Sequence, residues 1–174
     1  AVFALARQIG VLYERVAPMG ALMLDEGPDV GDASPQFNLA TLDGSRVDIG
    51  KPSAFGELVF FISPTCPGCK KRIPVLRSIR KAEQDWLQII LASDGDEQQQ
   101  RRFYQKAELT DFPYVLSHDL GTSFRVGKLP YAVLLDEGGK VQAKGLINSR
   151  EQLESLFTAR ELGVESIQDY LQKA

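Results

Sequence analysis

Residues 60–71, FFISPTCPGCKK, hold both cysteines of this 174-residue chain, three positions apart. The stretch leading into them, ELVFFIS (57–63), is too short for a helix and apolar on both faces, which predicts a central buried strand. From Cys66 to about Glu83, Ile73, Leu76 and Ile79 recur on one side among charged residues. With Pro67 at a first-turn position, that spacing predicts a helix. Cys66 therefore falls where a buried strand ends and a helix begins.

Three kinds of chemistry fit a Cys-x-x-Cys pair. A structural metal site needs about four ligands, of which the pair supplies two. The chain has one histidine, His118, and no second cysteine pair, so no metal site is assigned. A structural disulfide across two residues closes a very small loop, where the chain-entropy gain is near its minimum. A redox pair draws positive support from its setting: the unpaired N–H groups and positive end of a helix favour thiolate over thiol. Lys70, Lys71 and Arg72 add positive charge in the next turn. In this reading Cys66 is the attacking thiolate, and Cys69, one turn on, resolves the mixed disulfide.

Working outward, QFNLATL and SRVDIG alternate around Asp43-Gly44, a hairpin signal. WLQIILAS predicts a second buried strand. The polar run from Asp96 to Leu109 predicts a solvated helix, with Gln98, Gln99 and Gln100 as its wet face. A short strand is expected at Tyr114–Ser117 and one or two helical turns between Leu120 and Val126. YAVLLD and KVQAKGLI flank Glu137-Gly138-Gly139, a second hairpin. Ser149-x-x-Gln152 is a capping box opening a helix to about Arg160, Gly163 ends it, and Val164 to Gln172 form a last helix. The order is that of an α/β core with a mixed sheet.

Upstream, DEGPDVGD (25–32) reads as a linker, dividing the chain into an N-terminal segment (1–27) and the main domain (28–174). Val2, Phe3, Leu5, Ile9, Leu12 and Val16 form one apolar helical stripe. It suits either a helix packed on the domain or the exit from an upstream membrane anchor. A net charge of −3 and a pI near 5.3 provide no basic footprint for nucleic acid.

The pair resembles the active site of the thioredoxin fold, and the match extends past Cys-x-x-Cys. A strand leads into it, and Pro74 follows Cys69 by five residues, as does the helix proline of thioredoxins. Lys128-Leu129-Pro130-Tyr131 precedes YAVLLD, where that fold keeps a cis-proline facing the disulfide. The resemblance implies a three-layer α/β/α domain with a central mixed sheet and an extra N-terminal hairpin. It implies that Leu129 and Pro130 bind an extended client beside Cys66, and we assign supporting places to Pro64, Pro67, Gly68, Lys70 and Pro74. No cofactor is expected beyond the Cys66–Cys69 disulfide itself.

The hairpin GDASPQFNLATLDGSRVDIG resembles the alkyl-hydroperoxide-reductase and TlpA-like branch. LARQIGVLYERVAPMGALML, SPTCPGCKK and KLPYAVLLDEGGKVQAKGLINSREQLESL resemble the MauD-type accessory proteins of methylamine utilisation. That family implies a periplasmic protein tethered by an N-terminal membrane helix. Its implied work is to mature the disulfide-rich small subunit of methylamine dehydrogenase, alongside a membrane or periplasmic redox partner. One departure stands out: thioredoxin keeps a buried acid six residues before its first cysteine, and Phe60 occupies that position here. Glu57 lies further off, so the proton-transfer role is unassigned.

Two other functions suit the same scaffold. A peroxidase needs a hydroxyl three residues before the reactive cysteine, where Ser63 stands, with Thr65 adjacent to Cys66, but no motif places its arginine. A metal-delivery module would use the cysteines as copper(I) ligands, with His118 as the residue to watch. Trp86 is expected to pack, and Asp94 and Asp96 to serve as turn and helix-cap residues.

Overall fold

The computed structural model describes residues 27–162, so the apolar stripe of residues 2–16, the Gly163 stop and the Val164–Gln172 helix lie outside the described residues. Its strands are β1 (Phe37–Ala40), β2 (Arg46–Ile49), β3 (Gly56–Phe61), β4 (Leu87–Ser93), β5 (Tyr114–Leu116), β6 (Tyr131–Leu135) and β7 (Val141–Leu146). Its helices are α1 (Pro67–Ala82), α2 (Glu97–Lys106), α3 (His118–Ser123) and α4 (Arg150–Leu162). β1 and β2 form an antiparallel hairpin, and the other strands form one sheet in the order β5-β4-β3-β6-β7.

β3 is the central strand, buried at every position. It pairs in parallel with β4 and antiparallel with β6, so Phe61 lies between Ala92 and Tyr131. Its side chains alternate between two cores. Leu58, Phe60 and Ile62 join Ile73 and Leu76 of α1, Phe103 of α2 and Leu153 of α4. Val59 and Phe61 join Leu120 and Phe124, beneath Val47 and Ile49 of the hairpin. The result is the expected three layers, with α1, α2 and α4 on one face and α3 and the hairpin on the other.

The end of the expected linker is held against the sheet edge. Gly31 N–H donates to the Val141 carbonyl at 2.8 Å and Ser34 N–H to the Gly139 carbonyl at 2.8 Å. A stretch rich in glycine and aspartate carries no apolar pattern to announce such backbone pairing. Helix α3 begins at His118, two residues earlier than expected, because the Ser117 hydroxyl accepts the Leu120 N–H at 3.1 Å and caps it. It ends before Arg125, whose φ of 53° is left-handed. The Ser149 hydroxyl accepts the Gln152 N–H at 3.1 Å, while Gln152 accepts from Asn148, one residue before the cap. Trp86 packs edge-on against Phe157, with ring centroids 6.1 Å apart.

Glu57 is the only carboxylate buried among the described residues, with 4% of its surface exposed. It sits on the Val59 and Phe61 face of β3 and accepts the Gly50 N–H at 2.9 Å. Burial raises its pKa above the usual 4.5, and the Gly50 hydrogen bond only partly opposes that shift. The folded protein thus holds the Glu57 proton at a pH where the unfolded chain has released it. The stability contributed by the protonated form is present below the unfolded value and is lost as pH rises through the folded one.

Glu57→Gln keeps an acceptor for Gly50 and removes this titration. In urea unfolding, the variant is expected to gain on wild type as pH rises from about 4.5 upward. Gly139 has φ of 78°, and a Cβ there would collide with the Gly50 carbonyl. Gly139→Ala is therefore expected to destabilise by more than about 1 kcal/mol, read from the same unfolding curves.

Candidate active site

The end of β3 delivers the chain into a tight bend, in which Cys66 N–H donates to the Ser63 carbonyl at 3.1 Å. Pro64 is half-buried in that bend. Cys66 is the N-cap of α1, with extended backbone (φ −91°, ψ 108°), and Pro67 is the first helical residue. Capping by cysteine explains why the helix starts one residue after it: its sulfur takes the Cys69 N–H at 3.2 Å.

The two sulfurs are joined in a disulfide, with Cα atoms 5.3 Å apart, inside the usual range for such bridges. Cys66 is half-buried, whereas Cys69 has no exposed surface and belongs to the core with Phe60 and Ile73. A thiol arriving from solvent can reach only the Cys66 sulfur. Attack there releases Cys69, so the burial difference supports the order of events expected from the sequence.

The Leu129–Pro130 peptide is cis. Pro130 is buried and stands against Gly68, where a Cβ would lie 3.6 Å from the proline Cδ. Leu129 remains 37% exposed. Pro74 lies inside α1 on its exposed side, removing the N–H that would bond the Lys70 carbonyl. The Lys70 ammonium sits 5.8 Å from the centre of the Phe103 ring, so its charge is drawn toward α2. Ser63 Oγ and Thr65 Oγ1 are 3.0 Å apart and bonded to each other.

Phe60 is wholly buried in the Cys69 core. The carboxylate of Glu57 is on the other face of β3, which separates it from the disulfide and leaves it without a proton-transfer role there. A cleft of about 510 Å³ opens across the ends of β3, β4 and β5, bounded by Ile62, Asp94, His118, Arg125 and Leu129 among others.

Asp94 and His118 both line it. Asp94 Oδ2 lies 2.7 Å from His118 Nδ1. This hydrogen bond holds the Asp94 carboxyl below the usual carboxylate range and raises the His118 pKa above its usual 6.5. Asp96 accepts the Gln99 N–H at 2.9 Å, the cap role expected of it. Asp94 does more than turn the chain, because it is paired across the strand ends.

Gln100 overturns the expected wet face of α2. It is 1% exposed. Its amide donates to Ser93 Oγ and to the Asp94 carbonyl, both at 2.8 Å, and its oxygen accepts the Tyr114 hydroxyl at 2.6 Å. Gln98 and Gln99 are exposed, as expected. Three consecutive glutamines share no period that separates the inward one. Its signal was positional: Gln100, Phe103 and Tyr104 stand at helical spacing on the buried face.

The Redoxin family profile matches residues 29–159. The chain is 48% identical over 169 residues to the methylamine utilization protein MauD of Methylorubrum extorquens, covering 96% of this chain and 82% of that one. It is 46% identical over 169 residues to MauD of Paracoccus denitrificans, covering 96% and 84%. Among solved structures, a putative thiol:disulfide interchange protein DsbE from Chlorobium tepidum superposes with a TM-score of 0.69 at 19% identity, over 77% of this chain and 99% of that one. That structure shares the fold.

In the reduced protein, the Cys69 N–H and the helix end favour a Cys66 thiolate. Cys66 is expected to titrate below the roughly 8.5 of free cysteine, read from the pH dependence of its alkylation by iodoacetamide. A midpoint at or above the free value, or faster alkylation of Cys69, would contradict this geometry.

Proposed function

The chain belongs to the redoxin family and to its MauD-type methylamine utilization branch, it is a thiol–disulfide oxidoreductase, and we propose that its clients are periplasmic proteins whose cysteines it brings to their mature pairing. The single observation that carries the chemistry is the asymmetric disulfide, with Cys66 accessible at a helix N-terminus and Cys69 sealed behind it.

In the oxidising direction a client thiolate attacks the Cys66 sulfur. The Cys66–Cys69 bond breaks and Cys69 leaves as a thiolate. A second client thiolate attacks the client sulfur of the mixed disulfide and releases Cys66. The client loses two electrons and two protons, and the pair ends as a dithiol. Reduction of a client is the same path reversed, starting from the Cys66 thiolate. Leu129 and Pro130, beside Gly68, are the backbone against which the client lies.

We assign as client the small subunit of methylamine dehydrogenase, a disulfide-rich protein; the support is the MauD name of the relatives and the resemblance in sequence. The same resemblance supports work in the periplasm, tethered by an N-terminal membrane segment, with a membrane or periplasmic partner that resets the pair. Among the described residues no helix is long and apolar enough to cross a membrane, so a tether would be supplied outside them.

The test is trapping. Cys69→Ala in cells that express methylamine dehydrogenase is expected to accumulate a dithiothreitol-sensitive adduct between Cys66 and the small subunit, and Cys66→Ala to form none. Adducts to other proteins alone would overturn the client assignment, and the absence of any adduct would overturn the mechanism.

A further inference from the structure

Among the described residues, two buried side-chain atoms have no hydrogen-bond partner, Asp111 Oδ1 and Arg72 Nε. Asp111 is engaged through its second oxygen, which lies 3.1 Å from Arg80 and 3.8 Å from Arg77. Arg72 has no such engagement. It is half-buried in α1, and an N–H sealed from water without an acceptor is costly in a folded protein. Such a donor is explained when another state of the protein supplies the acceptor.

Helix geometry directs Arg72 toward the disulfide. Residues three apart on a helix have Cβ atoms about 5–6 Å from each other, and long helical side chains lie back over the turn before their own Cα. Arg72 stands three residues after Cys69, so its stem runs over Gly68 and Cys69. The other buried members of the Cys69 core with polar side chains are Tyr104 and Tyr114. They belong to α2 and β5, at the opposite edge of the sheet from β7 and α4, and the Tyr114 hydroxyl is bonded to Gln100. Arg72 faces the α4 side, where its charge reaches Glu151. That carboxyl is held below its usual range first by its own backbone N–H and by Ser149, and least by Arg72. Cys69 Sγ is therefore the side-chain acceptor inside the fold that the buried Nε–H can meet.

We propose that the Arg72 guanidinium stabilises the Cys69 thiolate that forms when the disulfide opens. The inference rests on the oxidoreductase reading and assigns a further residue to its chemistry. In the disulfide, Cys69 Sγ is neutral and a weak acceptor. When a client thiolate attacks the Cys66 sulfur, the bond between client and Cys66 forms, the Cys66–Cys69 bond breaks, and the electron pair leaves on Cys69. The charge appears where water does not reach, because Cys69 has no exposed surface, and a buried charge needs a partner. Arg72 keeps its proton throughout and donates its Nε–H to the sulfur. In the return direction the same bond holds Cys69 as the thiolate that attacks the mixed disulfide.

The other titratable groups around the pair are engaged or placed elsewhere. Lys70 is drawn to the Phe103 ring, Lys71 is exposed, and Arg150 is paired with Glu154. Glu57, on the opposite face of β3, holds Gly50. Burial keeps the Tyr104 and Tyr114 hydroxyls neutral, with the Tyr114 pKa pushed up to about 12.

Cys66→Ala leaves Cys69 as the sole thiol of the chain, and its ionisation is read from ultraviolet thiolate absorbance against Cys66→Ala/Cys69→Ala. Adding Arg72→Met, which keeps an unbranched stem without the charge, is expected to raise the midpoint by about one pH unit, about tenfold less thiolate at a given pH. Adding Arg72→Lys, which keeps the charge, is expected to leave the midpoint within about half a pH unit of the Cys66→Ala parent. In that parent, with Arg72 intact, the Arg72 Nε–H resonance is expected to shift with the Cys69 midpoint. A packing role alone would not move it, and the measurement needs no change at Arg72. An unmoved midpoint in Arg72→Met, an equal rise in Arg72→Lys, or an Nε–H resonance insensitive to the Cys69 titration would overturn the proposal. Dithiothreitol separates the two levels: if wild type exchanges with it while Arg72→Met leaves Cys69 unmoved, the Arg72 assignment alone is defeated, and if wild type does not exchange, the oxidoreductase reading falls with it.

Discussion

The burial of β3 on both faces and both edges is the constraint from which the site follows. Leu58 and Phe60 lock it to the helices on one side, and Val59 and Phe61 to α3 and the hairpin on the other. Each such side chain contributes on the order of 1.5–3 kcal/mol. A strand held this way has one exit direction and one register, so the bend at Ser63 to Thr65 and the cap at Cys66 are fixed relative to β4 and β6. Since β6 follows directly from Pro130, the same sheet brings Pro130 against Gly68.

The division of labour between the cysteines is a consequence of helix geometry. A cap residue lies outside the first turn with its side chain turned back toward the free N–H groups, so Cys66 meets both solvent and the Cys69 N–H. Cys69, inside the turn, points to the core. Departure from the thioredoxin pattern at Phe60 removes the carboxylate that would serve the buried sulfur. Glu57 instead fastens the hairpin by its bond to Gly50, so a carboxylate close in sequence to the expected acid serves the fold rather than the chemistry.

Much of this was legible in the chain. The unbroken apolar run before Cys66, Pro67 in the first turn, and the Asp43-Gly44 and Gly138-Gly139 turns are local signals, and local signals set β3, α1 and both hairpins. The cis peptide before Pro130 was legible only through resemblance. Features that depend on neighbours distant in sequence were not legible. Asp94 and His118 are 24 positions apart and meet because β4 and β5 run in parallel, with Ser93 opposite Leu116. Gln100 is buried because Tyr114 and Ser93 offer it partners, which composition does not reveal. The 31–34 stretch docks through backbone groups that every sequence possesses.

The central claim is that Cys66–Cys69 is a working couple rather than a staple. It is tested most directly by equilibrating the protein against dithiothreitol or glutathione couples and counting free thiols by alkylation. The account predicts one reversible two-electron transition with a midpoint between about −270 mV, the value of thioredoxin, and about −120 mV, that of a strong oxidant. A pair that stays oxidised below about −300 mV, as structural disulfides do, would contradict it.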